Sequence, residues 1–504
     1  MSSLKKTISI ISFLLLSATV FADKLLSDSS KLVVIITVED MNQELIDKYF
    51  NEFDGGFKRL ASGTYYPNVE FQYLPTDYAT DIATLFSGTN PNFHGIIGSK
   101  RFFSKELKYI HSLTDPDAKG LNDDWHLSGK PLLSTTYADR LSEDRQGLPK
   151  IVSVATDPTI AMLMAGHSGL PIYMNNLTGE WSTSSYYSDA MPKWLEEYNA
   201  EKPIDQYLDR NWENIYPAAY YVSASSVGGT GFSYNVRGAC NGLKMYQNFT
   251  TIPYCNDYIC DVALKAIEKE KMGNDMTTDL LMVNFSLSRF YLKQEAKTSL
   301  ELEDSYLRLD KTLKRLLENV ENKVGKENLT VVLTGSRTYM RNVTQATNKR
   351  IEYNAFNADK YSALLNSYLM AFYGQKKWVL SCKNGNIYLN REEIEKAGLK
   401  LTDVQKKAME FFYLIPGLQN VCTSAQMEEA FYTTGVLHYA YYRDLSGDLL
   451  YCLMPRWYET NLNDTPTGFF SSYTNSVSMY IYGGKNRTPE TKDTVIKATF
   501  LGER

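Results

Sequence analysis

The 504-residue chain is 43% hydrophobic and 22% charged, an ordinary globular balance that supports a sizeable core. Its formal net charge of −5 and the absence of any Lys/Arg-rich tract argue against nucleic acid as a partner. The length allows two or three domains, or one large α/β domain with insertions.

Residues 1–22 have the pattern of a cleaved secretory signal: Lys5 and Lys6, an apolar run IISFLLLSATVF, and small residues at Val20 and Ala22. Cleavage would remove two lysines and no acid, taking the formal charge to −7. The apolar run is short for a membrane span and no other stretch approaches one, so the sequence predicts an exported protein, periplasmic or secreted, with no transmembrane segment after processing. Six cysteines (240, 255, 260, 382, 422 and 452) could pair in an oxidising compartment, with Cys255 and Cys260 as near neighbours in a loop. None has Cys-x-x-Cys spacing, which disfavours a thiolate zinc site. Asn248-Phe-Thr and Asn328-Leu-Thr would be glycosylation sequons only in a eukaryotic secretory route.

Lys31 to Val38 is a continuous β-branched run, the mark of a strand buried on both faces, and it ends in Glu39 and Asp40. QELIDKYFNEF has helical spacing, Asp54-Gly55-Gly56 stops it, and FKRLASG is a second short helical piece. Tyr65 to Tyr73 reads as extended and leads into a Pro75-Thr76-Asp77-Tyr78 loop, then a helix over ATDIATLFSG and a turn at TNPNFHG. Residues 100 to about 220 lose the strand–helix rhythm and form a cap-like insertion in which KIVSVAT returns once to the sheet, followed by a helix over TIAMLMAGHSG. Further elements are a helix over 255–273, a strand over Leu280 to Phe285, a periodic helix over 301–324 and a strand over Leu329 to Leu333. Residues about 355–425 suggest a small α+β unit, and LLYCLMP and SVSMYIYGG read as closing strands. The alternation predicts an α/β fold with a doubly wound, mostly parallel sheet, helices on both faces and capping insertions on one domain over 23–504. In such sheets chemistry sits at the carboxyl ends of the strands.

The ordered motifs make the chain resemble the alkaline phosphatase superfamily, specifically the phosphate-irrepressible (type I phosphodiesterase/nucleotide pyrophosphatase-like) alkaline phosphatases of Bacteroidota. They are the strand-end EDMNQE, GGFKRL, SGTNPNFHGIIG, AGH, WSTSSYY with PKW, DSYLRLDK, IYLNRE and SGDLLYCLMPRWYE. The resemblance implies two zinc ions held by Asp and His at the sheet's edge and a Thr or Ser nucleophile that one zinc activates.

At the matched positions the residue types differ. The strand-end Asp ligand falls on Glu39 and the nucleophile on Tyr78. The Asp-x-x-x-His pair falls on Arg289 and Lys293, the Asp-His pair on Ser336 and Arg337, and the C-terminal His on Ser476. The phosphate-binding Lys and Arg fall on Asp157 and Thr159, and an expected Asn on Ser99. Zinc needs carboxylate, imidazole or thiolate donors, and Arg offers no acceptor, so the resemblance implies a degenerate site with no metal cofactor. The five histidines (94, 111, 126, 167 and 438) fit that reading. His94 and His167 read as structural, His111 and His126 as surface, and His438 as part of a strand. Asp77 and Asp81 read as acids at a helix N-terminus. Glu39 and Asp40 are expected to pair with Arg289 or Arg337, and Arg289, Lys293 and Arg337 could form a cationic pocket for phosphate or a phosphorylated ligand. The expected function is a non-catalytic binding or scaffold protein with a protein partner of the cell envelope. The alternative is a residual metal-dependent phosphomonoesterase or phosphodiesterase using Tyr78. A glycan-binding role for the aromatic stretch Trp181 to Trp194 is a third possibility, with roof packing the better explanation.

Overall fold

The computed structural model describes residues 30–74, 77–143, 148–221, 231–242, 244–287, 300–337, 354–429, 435–464, 466–468, 475–484 and 489–501. Eight strands in chain order make most of its main sheet: β1 (Leu32–Glu39), β2 (Thr64–Glu70), β3 (Ile151–Ala155), β4 (Leu170–Met174), β5 (Trp181–Ser182), β6 (Asp279–Ser286), β7 (Leu329–Gly335) and β8 (Ser476–Gly483). They lie in the order β2-β8-β7-β1-β6-β3-β4-β5, and Glu490–Thr491 and Ile496–Lys497 add to the outer side of β2. The five strands β7-β1-β6-β3-β4 pair in parallel, whereas β8 runs antiparallel between β7 and β2. Seven of the eight residues of β1 are buried, as its β-branched run predicts for a central parallel strand.

Helices pack on both faces. On one lie α1 (Gln43–Lys48), α2 (Gly56–Ala61), α5 (Tyr254–Lys269) and α6 (Leu300–Val324); on the other lie α3 (Tyr78–Ser87) and α4 (Pro158–Ala165). Each face has its own apolar layer, with Val34 and Ile36 of β1 in one and Val33 and Ile35 in the other. A third core gathers around Trp378, Phe412 and Tyr451 in a smaller unit with a four-stranded sheet.

Three readings change. The region 100–220 returns to the main sheet as β3, β4 and β5 rather than once. LLYCLMP forms the strand Leu449–Leu453, which completes the sheet of the small unit instead of the main one, so that unit reaches beyond residue 425. Cys255 and Cys260 lie within α5, not in a loop, and all six cysteines are buried with no disulfide among the described residues.

Candidate functional site

The parallel strands all end at one edge of the sheet. Glu39 closes β1 opposite Ser286 of β6 in register, and Val38 lies opposite Gly335, after which Ser336 and Arg337 leave β7. Helix α3 points its N-terminus at this edge. Asp77 caps it, its Oδ1 accepting from the Ala79 amide at 2.9 Å, and the same carboxylate takes the Ser99 amide at 2.7 Å and the Ser99 hydroxyl at 2.9 Å. The cap is thus shared between the helix and the turn of Ser99. Burial raises the pKa of the Asp77 carboxyl.

Tyr78 is the first residue of α3 and half-buried. Its phenol oxygen accepts from the Asn284 side-chain amide, which also donates to the Thr37 hydroxyl at 2.9 Å. Burial first, and the neighbouring Glu39 charge second, push the Tyr78 phenol well above its ordinary range. Glu39 accepts from the Ser286 hydroxyl at 3.1 Å. Asp40 has a left-handed φ of 58°, its amide donates to the Ser336 hydroxyl at 3.2 Å, and the Asn42 amide donates to the Tyr306 hydroxyl at 2.7 Å.

Arg337 does not pair with Glu39 or Asp40 among the described residues; its carboxylate is Asp81 of α3. The Nε atom donates to Asp81 Oδ2 at 3.0 Å and Nη2 donates to Oδ1, while Nη1 donates to the Tyr73 carbonyl and to Asn475 Oδ1, both at 2.9 Å. The guanidinium is 1% exposed and lies 4.4 Å from the Phe71 ring centre and 4.6 Å from that of Tyr73. This corrects two expectations at once. Asp81 is a fully buried ion-pair partner rather than a simple dipole acid, and Arg337 is turned into the protein rather than toward a pocket. Arg289 and Lys293 lie outside the described residues.

The remaining positions separate. Asp157 is exposed and caps α4, accepting from the Thr159 amide at 2.7 Å and the Ile160 amide at 3.3 Å, and Thr159 is buried in the first turn. Ser476 is an exposed residue at the start of β8, opposite Glu70. His94 is buried, its Nδ1 accepting from the Ile96 amide at 3.0 Å and its Nε2 lying 3.1 Å from the Thr84 hydroxyl. Burial takes its pKa down to about 3, so it is a neutral structural residue. His167 bonds Asp139 at 2.9 Å, which raises its pKa. His111 is half-buried against Trp125, His126 is exposed, and His438 lies in the helix Val436–Ala440 instead of a strand. Trp181 is fully buried against Tyr258, and Trp194 donates to Glu270 at 2.6 Å. Asn284 and Thr37 were not singled out in the sequence; their position two residues before the ends of adjacent strands is the signal that could have found them.

Among the described residues, no group of three or more His, Cys, Asp or Glu is arranged to hold a metal ion, and no helix is long and apolar enough to cross a membrane.

A mostly parallel sheet with its site residues at the strand ends is the architecture of the alkaline phosphatase superfamily. Residues 33–474 match the type I phosphodiesterase / nucleotide pyrophosphatase family model, and the chain belongs to that family. It is 28% identical over 418 residues to the alkaline phosphatase PafA of Elizabethkingia meningoseptica, covering 79% of this chain and 76% of the relative. It is 29% identical over 320 residues to the alkaline phosphatase PhoV of Synechococcus elongatus, covering 60% and 58%. The crystal structure of wild-type PafA superposes with a TM-score of 0.82 at 24% identity over 94% of both chains. The chain's fold is therefore that of alkaline phosphatases, and its relatives are phosphoric ester hydrolases.

Proposed function

We propose that this is an exported, catalytically inactive alkaline-phosphatase-like protein that acts as a binding or scaffold partner in the cell envelope. The observation that carries the reading is the state of Tyr78, the residue at the position the resemblance gives to the nucleophile. Its phenol oxygen accepts from Asn284, burial and Glu39 favour the protonated form, and among the described residues no carboxylate or imidazole is hydrogen-bonded to it to take the proton. The donor set agrees with it. A zinc pair would find Glu39 as one carboxylate, but at the matched Asp-His positions stand the Ser336 hydroxyl and a guanidinium turned into the protein, and these residues do not fit two divalent ions. Asp157 and Thr159 supply no positive charge for a phosphate and are engaged as a helix cap. One solved relative is described as a mutant with a Thr, an Asn, a Lys and an Arg replaced. The spacings within those two pairs equal those of Tyr78 with Ser99 and of Asp157 with Thr159.

Stoichiometry and turnover test this together. Purified protein is expected to contain no stoichiometric zinc and to leave an aryl phosphate unhydrolysed with or without added zinc; EDTA-sensitive turnover would restore the alternative, a metal-dependent phosphoesterase. Arg289 and Lys293 remain the proposed contacts for phosphate or a phosphorylated ligand. A thermal-shift titration with inorganic phosphate and with nucleotides is expected to raise Tm at millimolar ligand, and no shift would remove the anion-binding role. Co-purification from the native envelope would identify the protein partner.

A further inference from the structure

Four stretches of chain meet around one guanidinium. Arg337 follows β7, Asp81 lies in the first turn of α3, Phe71 and Tyr73 come from the segment between β2 and α3, and Asn475 immediately precedes β8. We propose that Arg337 is a positioning residue: its guanidinium is a built-in cation that ties these stretches together and sets the placement of the α3 N-terminus, with Tyr78 and Asp77, at the sheet edge. The proposal rests on the reading above only in treating that edge as the ligand site.

The chemistry at the junction is specific to Arg. Among the described residues, four of its N–H groups meet acceptors, two on one carboxylate and two on neutral oxygens from different segments. A Lys would bring the charge but not the planar fork. Asp81 is 0% exposed and also accepts from the Tyr73 hydroxyl at 2.9 Å, so its charge has no solvent to fall back on. The polar chain continues behind it. Because His94 Nδ1 is occupied by an amide donor, its Nε2 carries the proton and donates to Thr84, whose hydroxyl donates to Tyr73 at 2.9 Å, and Tyr73 donates to Asp81. Every hydrogen bond in this chain runs toward the carboxylate, and the guanidinium closes it from the other side.

The test combines stability, local exchange and chemical rescue. Arg337→Ala is expected to lower Tm by about 5 °C. It should speed amide exchange across residues 71–82 while leaving β3 and β4 unchanged. Millimolar ethylguanidinium should restore both, N-ethylurea of the same shape but no charge neither, and Arg337→Lys should recover less than half of the Tm loss. Should Arg337→Ala fail to fold, Asp81→Asn carries the test, with the same local loosening expected. Wild-type exchange over 71–82 in either variant, or equal rescue by the urea, would overturn the proposal. None of these readouts depends on phosphatase activity, so they separate from the test of the inactive-enzyme reading.

Discussion

Replacing Tyr78 by Phe removes one oxygen and leaves one amide hydrogen of Asn284 without its acceptor. In a half-buried place water replaces part of that bond, so the urea midpoint should fall by the equivalent of about 1 kcal/mol. Under the proposed inactive reading, hydrolysis of an aryl phosphate should not change. His94 has a different consequence. Folded, it stays neutral down to about pH 3, whereas unfolded it takes a proton near 6.5. Between those values the unfolded chain binds more protons, so stability rises with pH through that window and is level above it. The slope amounts to about 3 kcal/mol between pH 4 and 6.5, and His94→Asn should flatten it in urea titrations at stepped pH. His167 acts in the opposite sense. Its raised pKa gives stability that is complete below 6.5 and is lost as pH rises through the folded value. At this scale the sequence showed which residue types stand at the sheet's edge, but not what they touch. The pairing of Asp81 with Arg337 spans 256 positions, and neither flanking motif hints at the other.

Among the elements, α2 depends on a side chain far away in sequence. Asp310 of α6 accepts from the amides of Asp54 and Gly55, both at 3.1 Å, and of Phe57 at 2.8 Å, supplying the cap that α2 lacks locally. Gly56 sits so close to α6 that a Cβ would come within 2.3 Å of Leu313 Cβ. Asp310→Asn should therefore cost about 2 kcal/mol in chemical denaturation. Gly56→Ala should be at least as damaging, because backbone as well as side chain must move. Strands were legible where burial on both faces demands an unbroken apolar run, as in β1, β3, β6 and β7. β4 escaped because LPIYM is short and carries a proline. Pro171 is tolerated there because β5 pairs only with Tyr173 and Met174 of that strand, leaving no partner on that side at Pro171. LLYCLMP was recognised as a strand, but a five-residue apolar run contains nothing to say which of two sheets it will join.

For the whole molecule, the fold class and the parallel sheet followed from the strand–helix alternation, and the family from the order of many weak motifs, each uninformative alone. The smaller unit is held by its own buried acid, and there too the sequence was silent. Glu459 is 0% exposed and accepts from the Asn384 amide at 2.9 Å, the Gly385 amide at 3.2 Å, the Tyr451 hydroxyl at 2.5 Å and the Thr467 hydroxyl at 2.8 Å. Glu459→Gln keeps the shape but removes the charge and sets an NH2 group against the backbone N–H of Asn384 or Gly385, and should loosen hydrogen exchange in this unit before the main sheet responds.

Strand β8 has a bearing on how the chain is made. It lies between β2 and β7, so a strand from the first seventy residues reaches the sheet only through one from the last thirty. During synthesis the early part of the chain must wait, unpaired on that side, until almost everything has emerged. Such long-range closure is slow and keeps the nascent polypeptide open to handling by chaperones. If the chain is exported as proposed, a lock that cannot shut before the end of translation keeps it transportable. Shortening the chain to end before Ser476 should leave β2 without its neighbour and the product prone to aggregate, whereas removing residues 502–504 should not.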